Sequence, residues 1–381
     1  METGKEIKNI SIISSAVVLL IFISTAAGAT ASFQGLGGLP DTDIWSRAYG
    51  ISADGSVVVG ESYSFSGKEA FRWTSAGGMT GLGDFSGGDF YSSARGVSAD
   101  GSVVIGFSIS ASNVEAFRWT SGDGMMSLGG LSGSPFDSRA YAVSADGSTV
   151  VGGGAFRWTS ADGMTGLGSL PGGQFWAEAY AVSADGSVIY GESGSSIGYE
   201  AFRWTSADGM TGLGDLPGGI FSSRAYDVSA DGSTVVGSGY SASGYEACRW
   251  TSAEGLTGLG DLPGGDFWSE AYGVSANGSV VVGFGNTNSS DLIFFEGEAF
   301  YWTADSGMQN LKGILTNAGL DMTGWTLKLA SDVSADGLTV VGYGINPQGQ
   351  TEAWVATVPE PGTIILFCAG ILAFRKKKGS K

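Results

Sequence analysis

The residue types that could do chemistry in this chain are carboxylates, arginines and aromatic rings, because its 381 residues include no histidine. Catalysis by Ser-His-Asp or Cys-His groups and metal binding by imidazole are therefore excluded. The Asp of a recurring Ser-Ala-Asp-Gly sequence could form a calcium ring or a pair of glycosidase acids. However, one copy has Asn277-Gly278 instead, which a type I′ hairpin turn tolerates and a charged site does not. We interpret these pairs as turns and expect no catalytic residue, cofactor or metal site.

Arginines recur in one strand-like run, each between an aromatic residue or Cys248 and a tryptophan: Arg72, Arg118, Arg157, Arg203 and Arg249. They could line a basic ligand groove. We favour ion pairs between neighbouring repeat units, because strand alternation turns the arginines and the aromatic residues to opposite faces. The residue before the alanine of each first strand is also often charged. From the third to the sixth repeat arginine and glutamate alternate there, which suggests charge pairing around the repeats. The residues at this position are Arg47, Ser93, Arg139, Glu178, Arg224 and Glu270.

Aromatic residues in the loops before the first strand of each repeat are the best candidates for ligand binding. Trp45, Trp176 and Trp268 occupy equivalent positions, where other copies have Tyr91, Asp137 and Ser222. Tryptophan presents a large face that is apolar and rigid. We therefore predict that these three residues are glycan-stacking platforms, and simple packing within the loops is the alternative.

The elements that must position these residues form a repeat. The six-residue sequence "VSADGS", or a close variant of it, occurs seven times at spacings of 46, 46, 39, 46, 46 and 59 residues. The copies are at 51–56, 97–102, 143–148, 182–187, 228–233, 274–279 and 333–338. A period of about 20 to 50 residues is typical of a solenoid, a propeller or an array. Each ordinary period contains four strand-like runs separated by turn signals and no helical pattern. This predicts a small four-stranded antiparallel sheet per repeat.

We therefore predict an all-β fold, a seven-bladed β-propeller of four-stranded antiparallel blades over residues 32–357. A β-solenoid is the main alternative, but its ends need polar caps. The last repeat lacks a fourth strand, and residues 34–39 have the sequence of one, so we expect the N-terminal strand to close the ring. Within residues 308–331, apolar residues at helical spacing predict a short amphipathic helix before blade seven: Leu311, Ile314, Leu315 and Ala318.

Both ends of the chain have the composition of targeting segments. Residues 1–31 contain two lysines, an apolar stretch and then small residues, which predicts a secretory signal peptide, with an N-terminal anchor helix as the alternative. At the other end, the apolar residues 363–374 precede a basic stop of Arg375, Lys376, Lys377 and Lys378. A helix of that length spans about 18 Å against a bilayer core of about 30 Å, so we predict a temporary inner-membrane anchor.

Residues 358–381 begin with Val358, Pro359, Glu360 and Pro361 ahead of the apolar segment and the basic stop. This order resembles the PEP-CTERM sorting signal, with a plain C-terminal anchor as the alternative. The resemblance implies export through the inner membrane, transient anchoring, and cleavage by an exosortase-type sorting protease. The protein would then stay at the cell surface or be secreted.

The repeats resemble a second family. "EAFRWT" followed by "GMTGLGDLPGG" and "AYGVSADGSVVVG", over about residues 33–357, is similar to the HAF family of extracellular repeats. The histidine of that family is replaced in this chain, so any role proposed for it is void here. The replacing residues are Glu69, Glu115, Gly154, Glu200, Glu246, Glu298 and Glu352.

Charge and cysteine content limit the partners. The whole chain has a formal net charge of −18, and the segment 32–361 carries −23 once the neutral N-terminus and the basic tail are set aside. Such a surface repels nucleic acid and anionic lipid. The two cysteines, Cys248 and Cys368, cannot form a disulfide framework, and we expect Cys248 to be a small buried apolar residue.

These observations favour a non-enzymatic surface or secreted protein that binds or organises extracellular matrix material such as exopolysaccharide. A glycan-active enzyme that uses paired carboxylates is the first alternative. A structural coat protein without any ligand is the second.

Overall fold

The computed structural model describes residues 29–40, 43–111, 113–131, 137–173, 176–287 and 297–359. Within these ranges the chain is all-β, with 28 strands and one short helix. The predicted fold class is therefore confirmed at this level. The predicted signal peptide, apart from its last three residues, and the tail from residue 360 onward lie outside the described residues. In the described part, no helix is long and apolar enough to cross a membrane.

The strands pair antiparallel in groups of four, which we call units. The first three units comprise β2 (Ser46–Ile51), β3 (Val57–Ser64), β4 (Gly67–Thr74), β5 (Gly78–Gly81); β6 (Gly87–Val97), β7 (Val103–Ser110), β8 (Val114–Thr120), β9 (Gly124–Ser127); and β10 (Ala140–Val143), β11 (Thr149–Gly152), β12 (Phe156–Thr159), β13 (Gly163–Gly166). The fourth and fifth comprise β14 (Ala177–Val182), β15 (Val188–Gly194), β16 (Tyr199–Thr205), β17 (Gly209–Gly212); and β18 (Gly218–Val228), β19 (Thr234–Ser241), β20 (Gly244–Thr251), β21 (Gly255–Gly260). The sixth and seventh comprise β22 (Ser269–Val274), β23 (Val280–Asn286), β24 (Gly297–Thr303), β25 (Gly307–Asn310); and β26 (Thr326–Val333), β27 (Thr339–Ile345), β28 (Thr351–Thr357) with β1 (Ser32–Gly35).

The N-terminal strand β1 completes the seventh unit, but it comprises residues 32–35 and not the predicted 34–39. It pairs antiparallel with β28, from Ser32 opposite Thr357 to Gly35 opposite Trp354. The Phe33 ring contacts Trp325 edge-on at 4.9 Å between centroids, and Leu36 is 7% exposed. The first piece of the chain is thus the outer strand of the last unit.

The turn between the first and second strands of each unit differs from the predicted type I′ turn. A type I′ turn needs positive φ at both central residues, but in the first unit only Gly55 has it, at +75°. The Gly55 N–H donates to Ser52 O at 2.9 Å, and the Asp54 carboxylate accepts from Ser52 Oγ and the Ser56 N–H. The Asp side chain therefore braces a longer turn, as Asx turns do. Asn277 accepts the same two hydrogen bonds in the sixth unit, so the turn needs no charge.

Hydrogen bonds link these turns from one unit to the next. The alanine of each Ser-Ala-Asp-Gly turn donates its N–H to the alanine carbonyl of the following turn, and Ala335 of the seventh unit donates to Ala53 of the first at 3.0 Å. The strands of the described residues nevertheless form five separate sheets, three of four strands and two of eight, and none of them closes on itself.

The core lies between units rather than inside one. Each hydrophobic cluster joins two neighbours; for example, Val59 and Phe117 belong to one cluster drawn from the first and second units. Cys248 is buried and free, as the sequence predicts. The predicted amphipathic helix is present as α1 (Leu311–Asn317), with Leu311, Ile314 and Leu315 buried.

Candidate functional site

The three predicted tryptophans lie in loops that precede the first strands of their units. Trp176 and Trp268 are each 41% exposed, whereas Trp45 is half-buried. Each packs against a different tyrosine: Trp45 on Tyr63 at 4.8 Å, Trp176 on Tyr199 at 5.4 Å, and Trp268 on Tyr245 at 5.0 Å between ring centroids. The structure does not bring the three together, since no two of them are in ring contact.

These loops share one face of the molecule with the connections between second and third strands. Antiparallel pairing places both kinds of loop at the opposite end of a unit from the Asp-Gly turns. Of the eight large apolar side chains exposed in the described residues, seven lie on this loop face; they are Tyr63, Phe65, Trp176, Ile197, Tyr199, Ile220 and Trp268.

A β-bulge recurs in the first strand of every unit. In β2 the pairing steps from Ala48 opposite Gly60 to Gly50 opposite Val59, which leaves Tyr49 as the extra residue. The same step occurs in β6, β10, β14, β18, β22 and β26. A bulge changes the direction of its side chains. Here the bulge residue and the one after it both line the same space in several units.

That space, the first-strand cavity, has a volume of about 730 Å³ and is lined by residues from the first strand of every unit. Tyrosine is the commonest residue of its wall, with seven of the twenty lining residues: Tyr49, Tyr91, Tyr141, Tyr180, Tyr226, Tyr272 and Tyr343. Three ring contacts join successive tyrosines, Tyr141 to Tyr180, Tyr180 to Tyr226 and Tyr226 to Tyr272, at 5.1 to 5.6 Å between centroids. Ligand sites are commonly aromatic cavities of this size with a few polar groups.

Four tyrosines of this wall are neutral phenols at physiological pH. Burial raises the pKa of Tyr49, Tyr180, Tyr226 and Tyr272 above the ordinary value of 10.0, and nearby carboxylates add to the increase. Tyr49 and Tyr272 already donate their single O–H groups to Glu61 and Glu270, so these two phenols can only accept further hydrogen bonds, whereas a phenol without such a partner can both donate and accept.

Cationic side chains reach the cavity from the first two units. The Arg47 guanidinium lies 4.6 Å from the centre of the Tyr343 ring, and Arg95 lies 4.1 Å from that of Tyr49. The Lys68 ammonium is paired with Glu61 Oε1 at 3.3 Å, and the same oxygen accepts from the Tyr49 hydroxyl at 2.8 Å. Glu61 is only 2% exposed.

Two aspartates from later units also line the cavity. The Asp332 carboxylate accepts from the Ile51 N–H at 2.9 Å and from its neighbour Val333 at 2.7 Å. Asp227 accepts from the Val274 N–H at 2.8 Å. Desolvation raises the pKa of Asp332 to about 7, and desolvation together with the charge of Asp332 raises that of Asp227 well above its usual range. Each carboxylate also ties one unit to the next.

Neither the tyrosine wall nor this acid pair was predicted from the sequence. A signal for the tyrosines was present, because Tyr follows Ala in the first strand of five units, at Tyr49, Tyr141, Tyr180, Tyr226 and Tyr272. Simple strand alternation assigns that residue to one face and its neighbour to the other. The bulges, which alternation does not predict, remove that distinction.

The predicted ion pairs between units are wrong for the third-strand arginines. Arg157, Arg203 and Arg249 pair with an acid five residues later in their own hairpin, at 3.5, 3.6 and 3.1 Å. The turn brings that acid to the end of the strand, so the nearest partner is local.

The predicted pairing of alternating charges is also not found. Arg224 pairs with Glu192 of the preceding unit at 2.8 Å and Arg139 with Asp137 at 3.6 Å. Neither Glu178 nor Glu270 forms an ion pair within the described residues. Glu270 instead accepts hydrogen bonds from Trp268 and Tyr272.

Glutamates stand at the position where the HAF repeats, which this sequence resembles, have histidine, and three of them bond the backbone of their own unit. Glu69 Oε1 accepts the Gly83 N–H at 2.9 Å, and Glu200 and Glu246 make the equivalent bond to Gly214 and Gly260. Each bond fixes the end of the fourth strand. No group of three or more His, Cys, Asp or Glu in the described residues is arranged to hold a metal ion.

The C-terminal sequence decides the cellular route. Residues 357–378 match the family model of the PEP-CTERM protein-sorting motif. The chain carries a PEP-CTERM motif. Such a motif implies export, recognition by an exosortase and anchoring of the C-terminus in the membrane for sorting. The PEP-CTERM match covers only this segment, so the likeness of the repeats to the HAF family remains a resemblance. Of the four predicted motif residues, Val358 and Pro359 are described, and both are buried.

No curated protein matches the chain. Among solved structures, it is similar to TolB from Acinetobacter baumannii, with 16% identity and a TM-score of 0.38 over 68% of this chain and 52% of that one. A putative TolB from Agrobacterium tumefaciens has 14% identity and a TM-score of 0.42 over 84% of this chain and 92% of that one. The Dos1 propeller has 9% identity and a TM-score of 0.45 over 87% of this chain and 95% of that one. The chain thus spans about half the length of the Acinetobacter protein, and such remote similarity says nothing about activity, substrate or partner.

Proposed function

We propose that this protein is an exported, exosortase-sorted β-propeller of seven blades that binds extracellular matrix material without catalysis. In this proposal each four-stranded unit is a blade, and β1 closes the ring as the outer strand of blade seven. Support comes from the hydrogen bonds between successive alanines, of which the last joins Ala335 to Ala53. The bond from the Ile51 N–H to Asp332 joins the same two units.

The position of the last described residues supports the proposal that the loop face stays accessible while the protein is anchored. The Val358 N–H donates to Leu338 O at 2.8 Å, next to the Asp-Gly turn of the seventh unit. The chain therefore leaves the body on the side of the Asp-Gly turns. A membrane that held the tail would lie on that side, and the loop face with its tryptophans would point away from it.

The binding role rests on one observation, the exposure of large aromatic side chains on the loop face. Trp176 and Trp268 each leave 41% of their surface in water, so part of each ring is available to stack on a ligand. Their backbones are held by neighbouring strands, since the Trp176 and Trp268 carbonyls accept from Gly194 and Asn286. Trp45, Trp176 and Trp268 are then separate stacking platforms for a long polymer such as the producer's exopolysaccharide.

A glycan-active enzyme is the second candidate, because Asp227 and Asp332 form a pair of acids with raised pKa values in a cavity. Enzymes that cleave glycosidic bonds use two carboxyl groups in this manner. Against this candidate, both oxygens of Asp332 accept backbone N–H groups. Such bonds suit a structural carboxylate better than one that transfers protons.

One experiment separates these candidates. The full-length protein, in a detergent free of sugar, is incubated with the producer's exopolysaccharide, and both co-sedimentation and new reducing ends are measured. We expect co-sedimentation without new reducing ends. New reducing ends that disappear in Asp332→Asn would favour the enzyme, and neither signal would favour a structural coat without a ligand.

A further inference from the structure

Arg47 and Arg95 differ from Lys68, the other cation of the first-strand cavity, in having no carboxylate partner among the described residues. No carboxylate oxygen of the described residues is within ion-pair distance of either guanidinium, whereas Lys68 is paired with Glu61. The Nε atoms of both arginines are buried, and no group in the part of the chain that the structure describes accepts a hydrogen bond from them. Two cations thus face the same cavity with unused donors, in a body whose net charge is strongly negative.

Stacking on aromatic rings leaves the edges of both guanidinium groups available. Arg95 lies over the rings of Tyr49 and Phe107, at 4.1 and 5.2 Å, and Arg47 over those of Tyr343 and Trp45, at 4.6 and 5.2 Å. The ring faces hold the planar group, and its N–H groups point outward from its edge. This fork matches a carboxylate, which it can bind through two parallel hydrogen bonds.

Arg95 is also an exception within the repeat. Five other units have tyrosine at its position, and the seventh has Ser331. Packing of the wall therefore does not require arginine there. Its charge comes from the second unit, and the first unit, which supplies Arg47, adjoins the seventh through the bond from the Ile51 N–H to Asp332. The cavity therefore contains both cations and acids, with phenol groups in the same wall.

From this arrangement we propose that the first-strand cavity binds a sugar that bears a carboxylate, held by Arg47 and Arg95 at its acid group and by the tyrosines at its ring and hydroxyls. The phenol oxygens accept hydrogen bonds from the sugar hydroxyls, and the aromatic faces cover the apolar faces of the sugar ring. A cavity of about 730 Å³ is large enough for a small ligand of this kind. This site is separate from the exposed Trp176 and Trp268 on the loop face and does not depend on them.

Titration calorimetry of the full-length protein with D-glucuronate tests the proposal. D-glucose is the neutral counterpart with the same ring, and acetate supplies the carboxylate without the ring. We expect glucuronate to bind at least tenfold more tightly than either, and its affinity to fall as salt is raised. Comparing glucuronate with a trisaccharide that ends in glucuronate shows whether the site prefers a free acidic sugar or the end of a polymer. Either preference supports the proposal if binding requires Arg47 and Arg95.

The variants come from the repeat itself, so they should fold. Arg95→Tyr and Arg47→Ser introduce the residues that sibling units carry, and the double variant should weaken glucuronate binding at least tenfold. Arg157→Gln with Arg203→Gln removes two positive charges outside the cavity and should change the affinity less than twofold. Trp176→Ala with Trp268→Ala should also leave it unchanged.

Several results would overturn this site. Wild-type protein that does not bind glucuronate, or that binds acetate equally well, contradicts a sugar site. Unchanged binding in the Arg47→Ser, Arg95→Tyr variant removes the arginines from it. Loss of glucuronate binding in the Trp176→Ala, Trp268→Ala variant would instead assign the sugar to the loop face.

Discussion

Asp227 and Asp332 occupy a position where the other five units have only glycine or alanine, namely Gly50, Gly96, Ala142, Ala181 and Gly273. Burial raises both pKa values in the folded protein above the value of about 3.9 in an unfolded chain. From about pH 4 to about pH 7 the folded state therefore binds more protons than the unfolded state. The free energy of unfolding falls as pH rises through that window.

Asp227→Asn with Asp332→Asn should remove much of this pH dependence, because the amide cannot ionise but retains an oxygen that accepts. Between pH 5 and pH 8 we expect the free energy of unfolding of the wild type to fall by about 2 kcal/mol more than that of the variant, since one pKa unit corresponds to about 1.4 kcal/mol. Urea unfolding at the two pH values measures this. Asp54→Asn is the control, because hydrogen bonds from Ser52 and Ser56 lower the pKa of Asp54 and keep it ionised throughout. If the free energy of unfolding changed equally with pH in the wild type and the double variant, the acid pair would not titrate in this window.

At the scale of the elements, the bulge in each first strand explains a glycine in each second strand. The bulge moves the Arg47 carbonyl toward Gly60, where an added Cβ would be 1.9 Å from that oxygen. Gly237 has the same relation to Arg224 O. No side chain fits between the two strands at this point.

Gly60→Ala should therefore destabilise the protein by at least about 2 kcal/mol, because the strands must separate or the bulge must be lost. Gly122→Ala is the matched control: no atom lies within 4 Å of its added Cβ, and we expect a change within about 0.5 kcal/mol. Chemical unfolding of both variants gives the comparison. Equal stabilities would mean that the bulge is not a fixed feature of the fold.

The N-terminal strand offers a second test at this scale. A chain whose mature part starts at Asp41 lacks β1, its ladder with β28, and the buried Leu36 and Leu39. We expect a loss of several kcal/mol in the free energy of unfolding relative to a chain that starts at Ala29. A melting temperature that did not change would argue against closure by this strand and for an open solenoid.

The sequence predicted the strands, their grouping in fours and helix α1, because period, turn residues and apolar spacing are local properties. It did not predict the bulges, since they depend on how Gly60 and its siblings meet the neighbouring strand. It also assigned the wrong partners to Arg157, Arg203 and Arg249. Alternation predicts which face a side chain occupies but not which acid a turn brings next to it.

At the scale of the whole molecule, the PEP-CTERM tail connects the folded body to its sorting. Val358 is 2% exposed and Pro359 is also buried, so the motif begins inside the body. Replacing Pro359, Glu360 and Pro361 by alanine should leave an uncleaved form in the membrane fraction. Immunoblots of membrane and medium fractions measure this, and a circular dichroism spectrum equal to that of the wild type controls for folding. Normal release of the variant would contradict sorting through this motif.

The central claim is that the loop face binds matrix polysaccharide through separate tryptophan platforms, and the direct measurement is the affinity of a triple variant. If Trp45, Trp176 and Trp268 each contribute about 1 kcal/mol, their joint replacement by alanine should weaken binding to the producer's exopolysaccharide about 100-fold, with an unfolding curve close to that of the wild type. A folded triple variant that binds as tightly as the wild type would contradict the claim and leave a structural role without this ligand site.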